Sequence, residues 1–224
     1  MSIYLSPSNQ NRNIGYGNYG TEQDEMHKVG EATKRILERC KQQTYISHKS
    51  MTFQQAVAES NKLKCDIHIA IHSNAFNKTV RGTQAMYVSD SGFKLSNAIY
   101  KRLEAFTPTA DRGCRQNDNL YELNNTVAVA AYLELMFHDN KEDATLIMNN
   151  IEKLGELIAK GVCEYLKIPF IEKSAIKINI VLETQKFLNS LWVTDEKGNK
   201  LVEDGIMGAN TLYSYKKLGG ALNE

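Results

Sequence analysis

The chain has 224 residues, 42% hydrophobic and 24% charged, which are ordinary values for a globular protein and exclude a mainly disordered or fibrous chain. Lys and Arg number 27 against 26 Asp and Glu, a formal balance of +1. Without a strongly basic field to hold a phosphate backbone, nucleic acid is excluded as a first reading.

The N-terminus, Met-Ser-Ile-Tyr-Leu-Ser-Pro, lacks both the basic start and the apolar core of a secretory signal. The chain is therefore expected to be made in the cytoplasm and to reach any outside target by another route. Residues 3–5 read as a short apolar strand that stops at Ser6-Pro7, and a polar loop follows to Gly20. Thr21 is a helix N-cap with Asp24 three residues on. The helix it opens puts Met26, Val29, Thr33, Ile36, Leu37 and Cys40 on one face. A strand is predicted over 44–47. Thr52 then caps a second helix with Phe53, Ala56, Val57, Ser60 and Leu63 inward. His27 and His48 read as surface residues.

Cys65 to His72, rich in isoleucine, predicts a buried strand, and Gln84 to Val88 another. Phe93, Leu95, Ile99, Leu103 and Phe106 mark a helix ending before Pro108. Thr126 to Phe137 is the most apolar run and predicts a central strand. Ile151, Leu154, Leu157, Ile158, Val162 and Leu166 mark a last long helix. Strands alternating with helices over 1–168 imply an α/β domain, with a twisted, mostly parallel sheet flanked by helices. Lys167 to Ser174 reads as the boundary. Beyond it, residues 171–224 carry seven basic and seven acidic side chains and predict a small, mainly helical domain. Its first helix candidate carries Ile178, Val181, Leu182, Gln185 and Leu188. No stretch reaches the roughly 18 apolar residues of a membrane span, so no membrane insertion is expected. The cysteines at 40, 65, 114 and 163 form no close pairs and read as reduced thiols.

Three residues sit where an α/β sheet places its chemistry, at or just beyond strand ends: Glu22, His72 and Glu134. Glu134 is the most informative, because a carboxylate among Tyr132, Leu133, Leu135 and Met136 costs several kcal/mol if buried unpaired. Two readings stay open at this point: a partner to a distant base, or a general base of raised pKa beside a metal. His72 alone reads as a hydrogen-bonded structural residue more readily than as a ligand, and Glu22 alone as a residue favoured by the helix dipole. His68 lies four residues before His72 on the same strand face. At about 3.3 Å per residue the two are some 13 Å apart, too far to share one ion on a regular strand, so His68 reads as structural.

In this order occur IYLSPSNQ over 3–10, GTE over 20–22, DIHIAIHSNAF over 66–76 and LELMFHDN over 133–140. Together they resemble the zinc-dependent N-acetylmuramoyl-L-alanine amidases of the endolysin and autolysin type, over most of residues 1–166. The resemblance implies a zinc ion held by Glu22 and His72, Glu134 as the catalytic glutamate, Asn74 as a substrate-binding residue, and bacterial cell-wall peptidoglycan as the partner. Asn9 stands where that family carries a histidine ligand. It is therefore the first choice for the third ligand, with Gln10 and His138 as alternatives. ETQKFLN over 183–189 and EDGIMGANTL over 203–212 resemble a small helical peptidoglycan-binding module. The combination implies a wall hydrolase, and the missing signal fits a phage-type endolysin that acts on the wall after release. The rivals are a non-catalytic wall-binding relative of an amidase and a zinc peptidase acting on the stem peptide.

Overall fold

The computed structural model describes residues 1–108, 112–172 and 180–221. Two compact units divide the chain, Met1–Phe170 and Ile171–Glu224. Among the described residues no helix is long and apolar enough to cross a membrane.

The first unit is built on six strands: β1 (Ser2–Pro7), β2 (Gln43–Ile46), β3 (Ile67–Asn74), β4 (Gln84–Tyr87), β5 (Cys114–Gln116) and β6 (Val129–Phe137), in the spatial order β2-β1-β3-β6-β4-β5. All neighbours are parallel except β4 and β6, which run antiparallel. This is the α/β architecture expected from the alternation of strand and helix patterns.

Alternation along the strands decides what each face does. Ile3 and Leu5 of β1, Ile67, Ile69 and Ile71 of β3, and Ala131, Leu133 and Leu135 of β6 enter one apolar core. Each buried isoleucine or leucine there stabilises by about 1.5–3 kcal/mol. That face is covered by α1 (Glu22–Arg39), α3 (Asp90–Glu104) and α6 (Ile151–Leu166), which pack on one another and on the sheet. α6 approaches closely because two of its glycines have no side chain to hold it off. A Cβ on Gly161 would stand 2.4 Å from the Ile99 backbone, and one on Gly155 within 2.9 Å of the Thr33 nitrogen. The opposite face carries Tyr4, His68, His72, Tyr132 and Met86, under α2 (Phe53–Lys62) and α4 (Tyr121–Asn125). α5 (Lys141–Asn149) follows β6, with Asn140 as its N-cap.

Three short elements, β5, α4 and α5, carry no pattern long enough to read from sequence, and the run from Thr126 becomes strand only at Val129. Two expectations are corrected. Phe53 and Leu63 do not point inward: they are 38% and 39% exposed, because α2 turns only Ala56, Val57 and Ser60 into the protein. His27 is not a surface residue but is buried, since α1 packs over a wide arc that includes Glu25, Met26 and His27. His48 is exposed.

In the second unit, α7 (Ile180–Ser190) and α8 (Ala209–Ala221) are tied together by amides and not by a large apolar core. Gln185 is buried. Its Nε2 donates to Asp204 Oδ1, the Ile206 carbonyl and Thr211 Oγ1, while its Oε1 accepts from the Gly205 N–H. Asn189 pairs in both directions with the Leu201 backbone at 2.8 and 2.9 Å. The predicted helix position Ile178 lies outside the described residues.

Candidate active site

The site lies at the carboxyl ends of β1, β3 and β6. Glu134 sits in an apolar run yet faces away from the core. Leu133 and Leu135 turn inward, so the residue between them turns to the opposite face, alongside His72 of the neighbouring strand. His72 and Glu134 are register partners, and the ring of His72 stacks on Tyr132, with centroids 4.5 Å apart. Just past this pair the register shifts. Asn74 pairs with Phe137, so β6 bulges, and Met136 there has φ 120°. That conformation costs a non-glycine residue about 1–3 kcal/mol and marks a strand end held by its surroundings. The holding groups are visible. Buried Asp143 accepts from the N–H groups of Phe137 and Gly82 and from Arg81, and the His138 N–H donates to the Asn74 carbonyl.

Glu22 arrives from the first turn of α1. Thr21 caps that helix, its side chain accepting from the Asp24 N–H. Glu22 Oε1 lies 2.9 Å from His72 Nδ1 and 3.4 Å from the Ser73 nitrogen, and Oε2 accepts from Asn13. The loop before α1 is folded back onto the strand ends by Tyr19, which is fully buried and hydrogen bonds Ser73 Oγ at 2.8 Å.

A fourth residue joins them that sequence reading missed. Glu122 of α4 is buried, with Oε2 at 3.0 Å from His68 Nε2 and Oε1 at 3.6 Å from His72 Nε2. His68 and His72 face the two oxygens of one carboxylate. The available signal was the pair of histidines on one strand face, which called for a common partner.

Electrostatics follow from this crowding. Burial disfavours the charged form of His72, but Glu122 and Glu22, with the charge of Glu134 beyond, outweigh it and raise its pKa to about 10. Burial alone would push Glu122 up, yet His68 and His72 hold it down at about 2. Glu22 is likewise lowered, burial being opposed by His72, Asn13 and Ser8. Glu134 goes the other way: burial, opposed by His72 and reinforced by the charge of Glu22, raises it to about 7. Its Oε2 is buried with no hydrogen-bond partner among the described residues. The basic partner of the structural reading is therefore not found there.

A cleft of about 320 Å³ opens on the His72 and Glu122 side of this cluster, lined also by Asn9, Gln10, Phe53, Tyr121 and Tyr132 among others. Asn9 faces it with His72 and Glu122. Gln10 lines it too, but its Oε1 accepts from Asn13. His138 does not line it: its Nδ1 lies 3.0 Å from the Ser73 carbonyl oxygen and 2.9 Å from Ser73 Oγ, under the stacked ring of Tyr19. Asn74 closes β3, its Oδ1 accepting from the Ala75 N–H. A larger cavity, about 700 Å³, lies elsewhere, beside α1 and β2, where Lys49 pairs with Asp24 and Arg35 with Glu152.

Among the described residues no group of three or more His, Cys, Asp and Glu side chains is arranged as a ligand set. One pair does fit. His72 Nδ1 and Glu22 Oε1, 2.9 Å apart, span close to the roughly 3.3 Å edge expected between two ligands on a tetrahedral zinc. Three carboxylates around one imidazole also form a site that a divalent cation would neutralise.

Residues 4–164 match the family model Amidase_3, described as N-acetylmuramoyl-L-alanine amidase. The chain is 29% identical over 161 residues to an endolysin of Bacillus phage SPP1, covering 66% of this chain and 59% of that one. It is 33% identical over 119 residues to an uncharacterized cell wall amidase of Bacillus anthracis, covering 47% and 22%. Its fold is similar to the catalytic domain of the amidase CwlV from Bacillus (Paenibacillus) polymyxa, with a TM-score of 0.69 at 19% identity, covering 75% of this chain and 99% of that one. The chain spans about a fifth to three fifths of the length of the curated relatives it matches.

Proposed function

The chain belongs to the Amidase_3 family, the N-acetylmuramoyl-L-alanine amidases, and on that premise we propose that it hydrolyses peptidoglycan at the amide joining the lactyl group of N-acetylmuramic acid to L-alanine. The observation that carries this reading is Glu134, a carboxylate with a buried oxygen that finds no partner among the described residues and a pKa raised to about 7, set in register beside an imidazole that Glu22 holds. A group poised near neutral pH can both take and return a proton, whereas a structural carboxylate would be paired.

Glu22 and His72 would hold a zinc ion, with the Asn9 amide as third ligand. When bound, zinc supplies Lewis acidity that polarises the scissile carbonyl. Glu134 takes the proton of the attacking water and delivers it to the leaving nitrogen of L-alanine. Phe53, Tyr121 and Tyr132 wall the cleft and orient the substrate, and Asn74 contacts it from the strand end. An amide is a weaker ligand than an imidazole, so Asn9→His should tighten zinc binding.

Likeness to a phage endolysin supports a lytic role, with the chain made in the cytoplasm and reaching the wall on release. The unit at 171–224 is assigned to wall binding. Fused to a fluorescent carrier it should sediment with purified wall, and a fusion left in the supernatant would make it a structural appendage.

Digestion of purified peptidoglycan by the zinc-loaded protein tests the main reading. New L-alanine amino termini without new reducing ends are expected. New reducing ends would make it a glycosidase, amino termini other than L-alanine a stem-peptide peptidase, and no products a wall-binding relative.

A further inference from the structure

If His72 held a zinc ion through Nδ1, the ring's remaining proton would sit on Nε2, and a ligand imidazole keeps its orientation best when that N–H has an acceptor. Glu122 Oε1 faces Nε2 at 3.6 Å. The same carboxylate is held from its other oxygen by His68 Nε2 at 3.0 Å. His68 is fully buried and stacked on Tyr4, with ring centroids 5.5 Å apart, and its Nδ1 has no hydrogen-bond partner among the described residues. The only hydrogen bond its ring makes there goes to Glu122. A buried histidine with a single partner, spent on a carboxylate that faces a second histidine, has the form of a clamp.

We infer that Glu122, clamped by His68, is the positioning residue that fixes the tautomer and tilt of His72, so that Nδ1 presents its lone pair beside Glu22 Oε1. This rests on the reading of Glu22 and His72 as metal ligands. It divides the two carboxylates on one imidazole by role: Glu22 on the Nδ1 side toward the metal, Glu122 on the Nε2 side toward the proton. The topology supports the division. Glu122, carried on α4, reaches His72 from the cleft side of the sheet face that also holds His68, whereas Glu22 comes from the α1 terminus at the strand ends, where its charge acts on Glu134.

The test is a zinc titration of the full metal-free chain against a competing chromophoric chelator. Wild type, Glu22→Gln, Glu122→Gln, Glu122→Asp and His68→Gln are compared, and thermal unfolding of each metal-free protein is recorded separately. Glu122→Gln keeps the shape of the side chain, so its fold should survive. Wild type should bind one zinc. Glu122→Gln and His68→Gln should each weaken binding by about 10–100-fold at unchanged stoichiometry. The Glu122→Gln and His68→Gln double variant, titrated alongside, should be little worse than either single one, because both act through one carboxylate. Glu122→Asp should recover part of the affinity. Glu22→Gln should lose far more. An unchanged dissociation constant in Glu122→Gln overturns the inference and leaves the zinc reading standing, as does a change that follows metal-free stability alone. Loss of binding in Glu122→Gln with only weakening in Glu22→Gln overturns it by exchanging the two roles. Failure of the wild type to bind zinc would defeat the reading beneath it.

Discussion

The two units bury polar side chains for opposite ends. In the second unit Gln185 and Asn189 are buried and fully occupied, their amides donating and accepting within 2.8–3.1 Å. In the first unit Asp143 is likewise satisfied, but the ionisable groups around the candidate site and His27 are not so placed. Glu134 keeps an oxygen without a partner among the described residues, His72 is pressed between carboxylates, and His27 is held neutral by burial. A satisfied buried amide specifies a fold, and a buried carboxylate left unsatisfied is kept for chemistry. The EDGIMGANTL motif of the tail is thus explained first by the turn it forms on Gln185, while Glu134 finds no such explanation.

The largest test of this contrast is Glu134→Gln. The variant should fold and bind zinc as the wild type does, and lose about two to four orders of magnitude in wall hydrolysis. Its thermal midpoint should hold or rise, since a neutral amide replaces a carboxylate whose burial is unfavourable. Near-normal hydrolysis, or a collapse in stability, would return Glu134 to a structural role.

Acid should separate the units next. His27 has its pKa lowered to about 4, from 6.5, by burial and then by Lys49. Because the folded value lies below the unfolded one, its contribution is fully present above pH 6.5 and is lost as pH falls toward 4. The loss totals about 1–3 kcal/mol. Glu134 acts in the opposite sense over pH 7 to 4.5, its folded pKa being raised, so the measurement must be a difference. Wild type minus His27→Gln, by urea unfolding at pH 7 and pH 4, should show the variant losing less stability on acidification. Equal losses would mean that His27 is not held neutral. In the second unit Asp195 and Asp204 are lowered by hydrogen bonds from Asn199 and Gln185 respectively, so that unit loses their help only below the ordinary aspartate range.

Gln185→Ala should cost the second unit roughly 1–3 kcal/mol, because the Gly205 N–H and Thr211 lose a partner at once. Hydrolysis of small soluble wall fragments should stay at the wild-type rate. A fall in that rate would show that the tail's internal bonds serve the active site and would erase the contrast.

Much of the architecture was legible in the sequence because its long elements carry strong periods. The residues over 26–40, 67–72 and 151–166 fell on the faces their spacing predicts. Glu22, His72 and Glu134 were legible as strand-end and first-turn residues, and the structure brings them together. Glu122 was not, since it sits in a five-residue helix whose position depends on contacts with α2 and β6 and not on any local pattern. His27 and Phe53 were misread for one physical reason. Period tells which residues share a face but not how wide an arc the neighbours cover, which is wide at α1 and narrow at α2.

Phe53 turns that last point into the smallest and most discriminating prediction. It opens α2 just after Thr52, which caps the helix in a reciprocal capping box with Gln55. Its ring meets Tyr121 edge-on, centroids 5.4 Å apart, and together with Asn9, His72 and Glu122 it lines the cleft. A core phenylalanine cut to alanine costs about 3–5 kcal/mol. An exposed aromatic pair is worth only about 0.5–1.5 kcal/mol, and the cap that starts the helix does not involve the ring. Phe53→Ala should therefore lower stability by less than about 1.5 kcal/mol. If the ring is a wall of the substrate cleft, the same change should raise KM for soluble wall fragments several-fold while leaving kcat within a factor of two, since no reacting group moves. A stability loss of core size would restore the inward placement read from the sequence. An unchanged KM would remove Phe53 from the cleft's working surface and leave Tyr121 and Tyr132 to carry it.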